Sequence, residues 1–210
     1  MSWLSLAKDN LFELSEEKND FIKATKEFVY IGLEDNEDAS YDCELCNHKN
    51  IRYEYSIKNI LNGNEMIVGS ECINKFINSV EEEGSQLLDD LGAVVDNERL
   101  LKDKKEYFKR IAVDLIENHM WESSFKQSIL RLVERGEGLS PKQSKSLNGV
   151  YYHHIKGDDK KESAFKNAIK INLRKHKNQA QLKQLTDREL QFVCMFLSSQ
   201  QKKKVIAGGY

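Results

Sequence analysis

Three cysteines and a histidine stand out as residues that could do chemistry together. Cys43 and Cys46 form a C-x2-C pair, and Cys72 follows 26 positions after Cys46. That pair spacing lets two thiolates and the amides of the intervening turn converge on one metal ion, and soft thiolates suit zinc. A tetrahedral structural zinc needs a fourth ligand. His48, two residues beyond Cys46, is the local choice. Cys194 is the next, although Val193 and Leu197 beside it suit a buried thiol. His153 and His154 are remoter candidates. Two rival readings exist: a redox-active C-x2-C, which wants a βαβ setting, and three unrelated core cysteines acting as small hydrophobes. A catalytic zinc would need an open position and a general base. Glu44 and Glu71 flank the ligands, but no H-E-x-x-H or deaminase-type motif accompanies them. The expectation is a structural Zn2+ at Cys43, Cys46, His48 and Cys72, no catalytic residues, and no enzyme.

The elements that would position these ligands read as follows. Ile51, Tyr53, Tyr55 and Ile57 alternate with polar residues, the period of a half-buried strand. Asn62-Gly63 is a hairpin turn signal, and Met66 to Val68 is the return strand. Ser70 then suits the N-cap of a helix carrying Cys72, Ile73, Phe76 and Ile77. The hairpin thus carries a helix N-terminus back beside the C-x2-C turn, where the helix dipole favours a thiolate. Upstream, residues 3–29 read as helical, with a strand at Phe28 to Ile31 and an acidic loop from Glu34 to Ser40. Downstream, the pattern predicts helices through Leu87–Val95, Leu100–Ile116, Phe125–Val133, from Ser140-Pro141 to Tyr151, over a basic stretch 160–178, and from a Thr186–Glu189 capping box through Leu197. A fraying tail follows from Lys202. The fold class expected is α+β: a small zinc-bound β-hairpin module in residues 1–80, then a mostly α-helical region in residues 81–210.

Charge separates the chain in a similar way. The 210 residues carry 32 Lys+Arg and 34 Asp+Glu, a net −2. Residues 1–100 hold 9 basic and 22 acidic residues (net −13), and residues 101–210 hold 23 and 12 (net +11). Net charge speaks to association rather than to fold. An acidic face at Glu34, Asp35, Glu37, Asp38, Glu81, Glu82 and Glu83 would suit a cationic protein partner. A basic face at Lys170, Arg174, Lys175 and Lys177 would suit phosphate. Lysine outnumbers arginine 25 to 7, which argues against bidentate base reading and suits an AT-rich genome. No apolar run is long enough to span a membrane, and the first ten residues carry no secretory pattern, so the expected setting is the cytoplasm. Phosphate-loop, dinucleotide and serine-nucleophile motifs are missing, so no small-molecule substrate is expected.

The order of knuckle, hairpin and helix-borne ligand resembles a treble-clef zinc module. Where a treble clef usually offers a second helical cysteine, this chain has Lys75. Cys43-Glu-Leu-Cys46-Asn-His48, Ile51-Arg-Tyr53-Glu-Tyr55 and Val68-Gly-Ser-Glu-Cys72, with Gly138-Leu-Ser-Pro-Lys-Gln143 further on, look like a pattern of phage and prophage proteins. In overall build the chain is similar to zinc-containing type II-A anti-CRISPR proteins. That resemblance implies a phage protein acting in the host bacterial cytoplasm, which binds and inhibits a host type II RNA-guided nuclease. The alternative expectation is a phage nucleic-acid-binding accessory protein with a structural zinc and a basic helical half.

Overall fold

The computed structural model describes residues 2–36 and 39–209. It is an α+β protein in two compact units, Met1–Lys104 and Lys105–Tyr210. The first unit reaches beyond residue 80. Leu87 and Val95 are buried in its core, and Asp89 is tied to Arg99 by an ion pair of 3.3 Å. No helix among the described residues is long and apolar enough to cross a membrane.

The first unit begins with α1 (Trp3–Leu14) and α2 (Phe21–Thr25), capped by Ser2 and Asp20. The helical reading of residues 3–29 therefore breaks at 15–20. There Glu27 draws the chain into a turn: its carboxylate accepts from the amides of Glu16 and Glu17, each at 2.7 Å. Strands β1 (Phe28–Asp35), β2 (Tyr53–Asn59), β3 (Glu65–Gly69) and β4 (Leu88–Asp89) form one sheet in the order β3-β2-β1-β4. The first three pair antiparallel, and β4 pairs parallel to β1. The expected hairpin is β2 and β3, with Tyr55 opposite Val68 and Ile57 opposite Met66. All four of these side chains are buried, as the period-two pattern requires.

Helix α3 (Ser70–Glu82) buries Cys72, Ile73, Phe76, Ile77 and Val80, one stripe at helical spacing. Its N-cap is Gly69 rather than Ser70. A Cβ at Gly69 would stand 3.0 Å from Ile51 Cγ2, so a side chain there would crowd Ile51, two residues ahead of β2. The expected helix over Leu87–Val95 is instead β4 and a tight turn. Leu88 pairs with Val94, and the Asp89 carboxylate accepts from the amides of Leu91 and Ala93.

Helix α4 (Asn97–His119) runs across the unit boundary. The second unit is helical: α5 (Ser124–Glu134), α6 (Pro141–Lys145), α7 (Asn148–His154), α8 (Asp159–Ala168), α9 (His176–Lys183), α10 (Asp187–Cys194) and α11 (Ser199–Ile206). Tyr151, Phe165, Phe192 and Phe196 form an aromatic cluster in its core. Leu139-Ser140, Leu185-Thr186 and Leu197-Ser198 each introduce a capping box, opening α6, α10 and α11. The third box keeps Lys202 to Ile206 helical where the sequence reading has a frayed tail. The basic stretch 160–178 is not one helix. It is interrupted at 169–175, where Leu139 donates to the Lys170 carbonyl and Asn172 donates back to the Leu139 carbonyl, both at 2.8 Å.

Candidate metal centre

The C-x2-C turn is built by backbone bonds. The amides of Cys46 and Asn47 both point at the Cys43 carbonyl, at 3.3 and 2.7 Å, and the Cys43 amide donates to the His48 carbonyl at 2.8 Å. Asn47 takes φ 60°, a left-handed position that asparagine tolerates. Glu44 fastens this turn to the edge of the sheet. Its amide donates to the Ile67 carbonyl at 2.9 Å, and its carboxylate accepts from the Ile67 amide at 2.6 Å. Asn10 of α1 donates to the Leu45 carbonyl at 3.1 Å from the other side. Glu44 thus has an anchoring place in the turn.

The hairpin and α3 deliver the third sulfur. The sulfurs of Cys43, Cys46 and Cys72 lie within 4.8 Å of one another, close enough to hold one metal ion, and no other such group occurs among the described residues. Cys72 and Cys46 sulfurs are 2.9 Å apart. Cys43 is fully buried, Cys72 nearly so, and Cys46 partly exposed. Two sulfurs also accept N–H bonds from outside the group, Cys43 from the Gly69 amide at 3.3 Å and Cys72 from the Trp3 indole at 3.2 Å. The Cys43 thiol is held below its ordinary range, first by the hydrogen bond from Cys72 and then by the amides of Gly69 and Cys46. Cys72, the donor in that pair, is pushed up by the same bond and by burial. The cluster therefore favours at least one thiolate, the form that binds metal.

His48 is exposed and stands outside the close group, although it lines the same cavity of about 370 Å3 as the three cysteines. Glu71 and Lys75 line that cavity too. The Lys75 ammonium sits 5.8 Å from the centre of the Trp3 ring. Cys194 lies in the second unit and is not in the group; burial raises its thiol. His153 and His154 make no metal group either. His154 stacks on His119 with ring centres 3.9 Å apart. Trp3 is the part of the site that ligand spacing could not show, since it is neither a metal ligand nor near one in sequence.

The charged residues divide. Glu34 and Glu81, Glu82 and Glu83 are exposed. Asp35 is not part of an acidic face: its side chain is fully buried and accepts from Arg52 Nε at 2.8 Å and Nη2 at 3.4 Å. It points inward because a bulge between Tyr30 and Gly32 shifts the alternation of β1 by one residue, and Arg52 neutralises it there. Glu37 and Asp38 lie outside the described residues. Lys170, Arg174, Lys175 and Lys177 are all exposed, but only Lys170 and Arg174 line a common groove. Comparison with protein-family models, with curated proteins and with solved structures finds no match.

Proposed function

We propose that the first unit is a zinc-ordered binding module and that the protein works by binding rather than by catalysis. One observation carries the metal assignment: three cysteine sulfurs from a turn and a helix start meet in the core, two of them accepting N–H bonds from neighbouring groups. Such donors stabilise sulfur charge and orient metal ligands. The all-sulfur set favours zinc over magnesium or calcium, which take oxygen. Among the residues lining the cavity, His48 is the imidazole that could complete four-coordination. The two neighbouring carboxylates fit a structural rather than a hydrolytic centre: Glu44 is committed to Ile67, and Glu71 has no histidine in motif spacing. Metal analysis of protein purified without chelator should give about one zinc per chain, and Cys72→Ser should abolish it. Protein that folds and carries well under half a zinc overturns the assignment.

The partner we infer for this module is a cationic protein surface, met by exposed Glu34 and Glu81 to Glu83 through charge complementarity. Within that class the resemblance to phage proteins points to a type II RNA-guided nuclease, whose nucleic-acid channel is positively charged. Addition of the purified protein should slow target cleavage by such an enzyme, with Glu81→Lys/Glu82→Lys/Glu83→Lys weakening the effect. Cleavage unaffected across a panel of these nucleases removes that partner while leaving the zinc assignment intact.

A further inference from the structure

The second unit holds a groove of about 990 Å3 whose lining includes Lys166, Lys170, Arg174 and Lys204 and, among the described residues, no carboxylate side chain. Two stretches of sequence build most of it, and both are free of acidic residues. No Asp or Glu occurs in residues 163–186 or 190–210, although the chain has 34 of them. None of the ion pairs among the described residues takes Lys170 or Arg174; Lys170 Nζ has only the Gly136 carbonyl, at 3.5 Å. Lys166 pairs with Glu162, which lies outside the lining. The irregular segment carrying Lys170 and Arg174 is pinned rather than loose. Gln201 donates to the Ile171 carbonyl at 3.0 Å and Gln179 to the Leu173 carbonyl at 2.9 Å.

We propose that this groove binds the phosphodiester backbone of nucleic acid. Four cations along one groove match a row of phosphates better than a single phosphate group. A lone phosphate calls for a nest of backbone amides, and the chain has no phosphate-loop motif. Three of the four cations are lysines, point charges that carry no base code, so recognition is independent of sequence. The one aromatic ring in the lining among the described residues, Phe196, is buried and offers no stacking platform for unpaired bases. Contact through phosphates alone favours duplex, which presents its backbone without unstacking. The site lies wholly within the second unit and is independent of the metal assignment.

The test is fluorescence anisotropy of the full-length protein with a labelled duplex and the matching single strand, over a range of salt. Duplex binding is expected, with log Kobs falling against log salt at a slope of about −3, the value for three to four phosphates neutralised. Lys170→Gln/Arg174→Gln should weaken binding about tenfold or more and flatten the slope by about 2. Lys175→Gln/Lys177→Gln, exposed but outside the groove, should change affinity less than about threefold. Circular dichroism should show both variants folded, since all four side chains are exposed. Tighter binding of the single strand, with the same loss in the groove variant, supports the groove and reassigns the strand form. No binding of either form at low salt overturns the proposal, as does a groove variant that binds like the parent. Binding retained by Cys72→Ser confirms that the groove stands apart from the metal centre.

Discussion

The indole N–H of Trp3 donates to the sulfur of Cys72 at 3.2 Å, joining residues 69 positions apart in sequence. The bond ties α1 to the three-cysteine cluster, where α1 packs its partly buried Trp3 and Phe12 against the core that Cys43 and Cys72 share. A donor aimed at a ligating sulfur lowers the cost of the charge it carries. Trp3→Phe keeps the ring and removes the donor, so it should weaken metal binding by about 10–100-fold. Competition against a chromophoric chelator measures this. Unchanged affinity would reduce Trp3 to packing.

Metal removal should act on one unit. Structural zinc contributes about 10–16 kcal/mol of apparent binding energy in small zinc peptides, the scale of a whole domain's stability, about 5–15 kcal/mol. Two of the cysteines lie in the C-x2-C turn and the third in the first turn of α3, and the Gly69 amide at the end of β3 donates to Cys43, so loss of a bound metal would uncouple those elements. Chelator should therefore collapse amide-exchange protection in β2, β3 and α3 and leave α5 to α11 protected. The second unit has its own aromatic core and no ligand in the group. Protection that survives chelation in the hairpin would mean that the core alone holds it.

Glu27 gives the first unit an acid sensitivity. Burial alone would raise its carboxyl, but the amides of Glu17 and Glu16 and the Asn59 side chain outweigh that and hold it below its ordinary 4.5. A carboxylate with a depressed folded-state value stabilises fully above about pH 4.5 and loses that contribution as pH falls through the folded value. Glu27→Gln should cost about 1–3 kcal/mol at neutral pH, the range for a hydrogen-bonded charge. The deficit relative to the parent should shrink in acid. Denaturant titrations at pH 7 and pH 4 check the sign, and a deficit that grows in acid would contradict it.

The hairpin, the α3 stripe and the meeting of the three cysteines were legible because each follows from spacing: period two in β2, helical period in α3, and a C-x2-C turn faced by the helix that the hairpin returns. What was not legible depends on partners far away in sequence. Leu88 and Asp89 leave the helical pattern to pair with β1, and the bend at Asp89 is fixed by its own carboxylate and by Arg99. Asp35 looked like part of an acidic run, yet the bulge between Tyr30 and Gly32 shifts the alternation of β1 by one residue and turns it inward onto Arg52. Residues 169–173 read as part of a helix, but Leu139 offers them backbone partners that a helix would forgo. For His48, spacing places the residue at the cavity, with its ring outside the close sulfur group. Its carbonyl accepts from the Cys43 amide and so holds the turn.

Two glycines of the second unit should respond oppositely to the same change. A Cβ on Gly138 would lie 2.8 Å from the Asn172 amide nitrogen and 3.1 Å from the Ile171 carbonyl carbon, both backbone atoms that cannot swing aside. Those atoms belong to the segment that pairs with Leu139 and carries Lys170 and Arg174 into the groove. Gly138→Ala must push the two chains apart or give up a bond, at about 1–3 kcal/mol. Gly149 sits within α7, and a Cβ there meets nothing within 4 Å. Gly149→Ala removes unfolded-chain freedom at no steric cost and should stabilise by about 0.5–1 kcal/mol. For a unit of this size each kcal/mol moves the melting midpoint by roughly 4–8 °C, so calorimetry separates the two. Gly138→Ala should also weaken duplex binding, because the displaced segment holds two of the groove's four cations. A Gly138→Ala protein that melts and binds like the parent would show that the close approach of these two backbones is not what shapes the groove.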